Sequence, residues 1–130
     1  MMKKFILILI FVFCSLAAYS QSIAYAKEKH VGGKDYYYFY NSNAQVMKKV
    51  EVNNANLVGY SAGLAVFEAD RYYFIYSSTF TLLARLHKDD VGRIEHVFTD
   101  AMTGEDGFVA VRGNRAYIWD ERGKNYKVIE

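Results

Sequence analysis

Gly63-Leu-Ala-Val-Phe-Glu-Ala-Asp-Arg-Tyr-Tyr-Phe-Ile-Tyr76 is the stretch that decides the fold, because a second stretch answers it. Gly107-Phe-Val-Ala-Val-Arg-Gly-Asn-Arg-Ala-Tyr-Ile-Trp-Asp120 aligns with it without a gap, pairing Gly63 with Gly107, Arg71 with Arg115 and Tyr73 with Tyr117. Both are short apolar runs split by a polar pair, the pattern of two strands joined by a tight turn. The match continues through Ser77-Ser78-Thr79 and Glu121-Arg122-Gly123 into the apolar runs Leu82–Leu86 and Tyr126–Ile129.

A third copy lies upstream. Tyr36-Tyr-Tyr-Phe-Tyr40, the turn Asn41-Ser42-Asn43 and Val46-Met-Lys-Lys-Val50 fit the same template, led by Ile23–Ala26 and a Gly32-Gly33 loop. The copies span roughly residues 22–62, 63–106 and 107–130, a unit of about 40 residues that suits a propeller blade or a related β-repeat. Asn56–Tyr60 and Arg93–Phe98 each supply a further strand before the next copy begins. Three units are too few to close a propeller, which takes about four to eight blades. The expected fold is therefore all-β: three repeated antiparallel hairpin or blade-like units in a small open, curled or sandwich-like arrangement. Composition agrees, with 12 Tyr and no Pro, and aromatic residues favour pleated, half-buried surfaces.

The third copy also resembles the bacterial tryptophan-glycine (WG) repeat family. The resemblance rests on Gly107-Phe-Val-Ala-Val, Gly113-Asn-Arg-Ala-Tyr-Ile118, Asp120-Glu-Arg-Gly-Lys124 and Val128-Ile129, with Gly63-Leu-Ala-Val66 in the second copy. The family's Trp-Gly pair is replaced by Arg115-Ala116 and by Arg71-Tyr72, and Trp119 sits elsewhere in its strand. The resemblance implies a β-repeat scaffold used for binding and brings no catalytic residues with it.

Ahead of the copies, the chain changes character. Lys3 and Lys4 precede an apolar run from Phe5 to Leu16, and Ala18-Tyr19-Ser20 places small residues where a signal peptidase cuts. Residues 1–20 are expected to form a helical signal peptide and 21–130 one β-repeat domain, exported to the periplasm or beyond. A membrane anchor would need about 20 apolar residues, more than this run holds. Phe13 occupies the place where a lipoprotein signal wants a small residue before its cysteine, which argues against a lipid on Cys14. Cleavage would remove Cys14 and with it any disulfide or thiolate site. Cleavage would also remove Lys3 and Lys4, so the basic residues would fall from 16 to 14 and balance the 14 acidic ones. Without a basic block, nucleic acid is not an expected partner, and no membrane span is expected after the signal.

Strand alternation sorts the aromatic residues into two faces. Tyr37, Tyr73 and Tyr117 fall at one repeat position and are the expected core residues. On the other face, Tyr36, Tyr38, Tyr40, Tyr72 and Tyr76 are the candidate ligand-binding residues, an aromatic platform for a protein or a glycan. The plain alternative is that these rings pack inward with each hydroxyl at the sheet rim.

His87, Asp89, Asp90, Glu95, His96 and Asp100 crowd one connection, which suggests a small metal-dependent hydrolase as the rival function. Their spacing fits no zinc or calcium pattern, so a solvated turn is the simpler account and neither metal nor cofactor is expected. Ser61 in Gly59-Tyr-Ser-Ala-Gly63 mimics a nucleophile elbow but lacks the following helix. No catalytic residue is assigned. The expected function is an exported, non-catalytic binding module for an unidentified protein or glycan, with a structural homo-oligomer paired through sheet edges as a further alternative.

Overall fold

Each of the aromatic strands is folded back on its predecessor by a turn of two residues. The computed structural model describes residues 22–130, so the expected signal segment and Cys14 lie outside the described residues. The strands are β1 (Tyr25–Val31), β2 (Lys34–Tyr40), β3 (Val46–Glu51), β4 (Asn56–Tyr60), β5 (Leu64–Ala69), β6 (Tyr72–Ser77), β7 (Leu82–His87), β8 (Arg93–Thr99), β9 (Asp106–Arg112), β10 (Arg115–Asp120) and β11 (Tyr126–Ile129). One helical turn, α1 (Lys88–Val91), connects β7 to β8. The strands form three separate meanders: sheet 1 is β1-β2-β3, sheet 2 is β4-β5-β6-β7 and sheet 3 is β8-β9-β10-β11. Every pairing is antiparallel and no sheet closes on itself. The described chain is all-β, as its composition and rhythm require.

The turns recur with the sheets. The first residue of each two-residue turn has positive φ: Gly32 at 60°, Asp70 at 55° and Gly113 at 64°. The next turn in each sheet bends through a left-handed residue, Ala44 at 61°, Phe80 at 61° and Gly123 at 64°. Its N–H donates to the carbonyl three residues back, that of Asn41, Ser77 or Asp120, at 2.9–3.0 Å. The side-chain oxygens of Asn41, Ser77 and Asp120 also accept from backbone N–H groups within their own turns. A short polar side chain at that position does what a further backbone carbonyl would do.

Sheet boundaries run ahead of the boundaries expected from the alignment. Asn56–Tyr60 and Arg93–Thr99 open sheets 2 and 3. The hairpin register moves the comparison as well. Ala69 pairs with Tyr72, and Arg112 pairs with Arg115, so the Asp70-Arg71 turn matches Gly113-Asn114, one residue out of step with the gapless alignment. A single-residue step turns every side chain to the opposite face. Tyr117 therefore ranks with Phe74, and Tyr73 with Ala116. Tyr73 and Tyr117 are both buried, 4% and 8% exposed, but they enter the same core from opposite sheets. Tyr37 is half-buried against a second core.

Those two cores stack the sheets. Between sheets 1 and 2 lie Ile23, Phe39, Ala65 and Phe67, flanked by Tyr37, Val50, Phe74 and Tyr76. Between sheets 2 and 3 lie Leu64, Val66, Tyr73, Ile75, Val97, Phe108, Ala110, Tyr117 and Trp119. Sheet 2 feeds both, which is why Leu64, Ala65, Val66 and Phe67 are buried in an unbroken row where a one-sided strand would alternate. The close approach between sheets 2 and 3 runs through β8 against β4 and β5, on the first-strand side of the stack. A polar clasp fastens that side. Thr99 Oγ1 accepts from the Gly63 N–H at 3.1 Å and lies 2.8 Å from Ser61 Oγ, while the Asp106 carboxylate accepts from the Thr99 hydroxyl at 2.5 Å. A Cβ at Gly63 would stand 2.3 Å from the Asp106 carboxylate oxygens, so a larger residue there would displace that carboxylate from the clasp.

Candidate binding face

Sheets 1, 2 and 3 each have a rear face, toward the preceding sheet, and a front face, toward the following one. In β6 the rear face is Tyr72, Phe74 and Tyr76; in β10 it is Arg115, Tyr117 and Trp119. In β2, counted back from the same second turn, it is Tyr36, Tyr38 and Tyr40. The candidate tyrosines thus occupy equivalent positions, but their surroundings differ. Among the described residues no sheet precedes sheet 1, so Tyr36, Tyr38 and Tyr40 form a surface ladder of half-buried rings. Tyr76 packs edge-on to Phe67 at 5.8 Å, against the core between sheets 1 and 2. Tyr72, at the start of β6, stands edge-on to His87 at 5.4 Å and under the Arg85 guanidinium at 4.9 Å. The five residues do not make one platform: three are gathered on sheet 1 and two are separated from them in sheet 2.

The ladder on sheet 1 is a defined arrangement. Tyr36 and Tyr38 meet edge-to-face with centroids 6.2 Å apart, and Tyr38 and Tyr40 follow at 6.5 Å. Register places Lys27 and Lys49 on either side of Tyr38, and Lys29 and Glu51 on either side of Tyr36. The Lys29 ammonium lies 4.8 Å from the Tyr38 ring centre and 5.8 Å from that of Tyr40, and the Lys49 ammonium approaches Tyr38 at 5.2 Å. Such contacts contribute about 0.5–1 kcal/mol each at exposed sites. The Tyr40 hydroxyl, as hydrogen-bond partner and as a counter-charge when ionised, raises Lys29 above its ordinary 10.5. The face therefore offers broad aromatic surface, phenolic hydroxyls and fixed positive charge. Aromatic faces, hydroxyls and ammonium groups of this kind are suited to stacking on and hydrogen-bonding to a ligand.

The rival constellation is dispersed. The ring nitrogen of His87 accepts from the Asp89 N–H at 3.2 Å and caps α1. Asp90 lies in α1, and Glu95 pairs with Arg93. His96 stacks on Phe98 at 6.2 Å on the outer side of sheet 3. Asp100, past the far end of β8, accepts from the N–H groups of Met102 and Thr103 to shape its turn. Among the described residues, no three His, Cys, Asp or Glu side chains gather as a metal site. Ser61 belongs to the clasp with Thr99 and Asp106, a link between residues 38 positions apart that only the folded chain reveals.

Asp120 is the most strongly solvated carboxylate by protein donors. Burial pushes it upward, but N–H groups of Lys124, Arg122 and Asn125 and the Asn125 side-chain amide outweigh that and hold it below 3.8. It lines a cleft of about 590 Å³ at the end of sheet 3 with Phe98, Ile118 and Tyr126. No described helix is long and apolar enough to cross a membrane. Compared with known protein families, with curated proteins and with solved structures, the chain matches none.

Proposed function

We propose that the chain is an exported, non-catalytic binding module, and that Tyr36, Tyr38 and Tyr40 on the rear of sheet 1 form its contact surface for a protein or glycan. One observation carries the reading: the equivalent aromatic faces of sheets 2 and 3 are packed against a neighbouring sheet, and this one meets none among the described residues. A contiguous row of half-buried aromatic rings at the surface of a small protein supports a contact role. The lysines at its sides favour an acidic or hydroxyl-rich partner.

Immobilised protein should retain a specific protein from a periplasmic extract, or a defined set of glycans from an array. Tyr38→Ala should reduce that capture by about tenfold or more, as removal of a central aromatic anchor does. Capture unaltered by both Tyr36→Ala and Tyr38→Ala would refute the assignment of this face.

A further inference from the structure

The stack ends as it is joined. Its internal contacts always set the front of one sheet on the rear of the next, and among the described residues they leave over one rear face, on sheet 1, and one front face, on sheet 3. The leftover front face can be read from the register. Ile118 pairs with Val109, Ala116 with Val111 and Ile129, and Phe98 with Gly107, all on the side away from Phe108, Tyr117 and Trp119. Ile118 is 38% exposed, a large apolar side chain in the middle of its strand.

The internal contact between sheets 2 and 3 shows what such a front face accepts. There Leu64, Val66 and Ile75 receive Tyr117 and Trp119. By turn position, Val109 stands where Val66 stands, and Ile118 where Ile75 stands. A front of Val109, Val111 and Ile118 therefore suits a rear of Tyr36, Tyr38 and Tyr40. The charges are segregated in the same sense. The rear of sheet 1 carries Lys27, Lys29 and Lys49, with Glu51 at one side. The cleft beside Phe98 and Ile118 is bounded by Glu105, Asp106, Asp120 and Glu121, with Lys127, and Arg93 lies farther along the same face.

We infer that two copies of the chain join head to tail, each seating the front of its sheet 3 on the rear of the other's sheet 1. This rests on the reading of the tyrosine ladder as a contact surface and names a second copy as the partner. A front-to-rear contact is heterologous, and it ends only when a ring closes. The described residues of one copy bring three sheets, short of the four to eight that a ring of radial sheets holds, and those of two copies bring six.

The protein, expressed with its own leader and purified as the cell leaves it, is examined by sedimentation velocity over a wide concentration range. The expected mass is twice that of one chain. Tyr38→Glu and Ile118→Asp, on opposite ends of the stack, should each raise the dissociation constant by about 30-fold or more. Far-UV circular dichroism should show an unchanged strand signal in both. A mixture of the two variants keeps one intact contact and should regain paired mass at high concentration.

A single-chain mass at every concentration overturns the pairing, and so does a paired mass untouched by Ile118→Asp, which would mean rear meets rear. Open-ended growth overturns the ring. If the chain stays single while Tyr38→Glu abolishes capture of another protein or a glycan, the pairing fails and the contact face stands. If neither pairing nor capture is seen, both fail.

Discussion

Sheets 1 and 2 carry nearly the same aromatic strand, Lys34–Tyr40 in one and Tyr72–Ser77 in the other, and use it differently. Sheet 2 is covered on both faces, so its rear aromatics, Phe74 and Tyr76, support a core. Among the described residues sheet 1 is covered only in front, so Phe39 is enclosed while its neighbours Tyr38 and Tyr40 line the surface. The difference does not lie in the strands. It lies in whether another sheet precedes in the stack, and this is how a strand's own rhythm can prescribe a face without prescribing its fate.

The sharpest test sets neighbours on β2 against each other. Phe39→Ala should cost about 3–5 kcal/mol in urea unfolding of the dilute protein, since it empties a fully enclosed site. Tyr38→Ala, one residue away on the open face, should cost only about 1–2 kcal/mol under the same conditions, the worth of its two lysine contacts. Similar costs for the two would erase the distinction between the faces of sheet 1.

The recurring second turn allows a finer comparison between sheets. Gly123 in sheet 3 holds φ at 64°, and a Cβ there would stand 2.3 Å from Leu86 Cδ1. Gly123→Ala should therefore destabilise by about 1–3 kcal/mol. At the matching place in sheet 1, Ala44 is exposed and already strained at 61°, so Ala44→Gly should stabilise by about 1 kcal/mol. A loss of stability there would show that the turns are not equivalent.

Acid should also distinguish the turns. Asp120 is held below 3.8 in the folded chain, so its contribution is complete above that value and disappears as pH falls through the lower folded value. Asp120→Ala should remove about 1–2 kcal/mol at neutral pH and flatten the decline of stability below about pH 4. The corresponding Ser77→Ala change should leave the acid response as it is, because that hydroxyl does not ionise in this range. Matching pH profiles for wild type and Asp120→Ala would contradict the assignment.

Strand positions and turn chemistry were legible along the chain. Tyr36–Tyr40 and Tyr72–Tyr76 read as strands, and Asn41-Ser-Asn43 and Ser77-Ser-Thr79 as turns, because alternation and turn residues are local signals. The phase of β10 was not legible. The alignment put Tyr117 on the face of Tyr73, and the hairpin register put it on the opposite one, since one residue of slip costs the sequence pattern almost nothing and reverses every side chain. Nor could the sequence tell that Tyr76 packs inward while Tyr40 lines the surface, because neither strand encodes which sheet lies behind it. The clasp of Ser61, Thr99 and Asp106 escaped for the same reason. Its partners come from different sheets, and nothing in the spacing of a hydroxyl and a carboxylate announces that they meet.

β1 has one further consequence. By its turn it is the counterpart of β5 and β9, yet among the described residues it has no strand on its outer side, where β4 and β8 stand in the other sheets. Lys27, Glu28, Lys29 and His30 follow one another along this open lane. A stray peptide laid beside it would have to desolvate ionised groups above and below the ribbon at once, so the row discourages fibrillar growth from that side. The vacancy is thus defended by composition, and the protein can keep an unfinished margin without becoming sticky there.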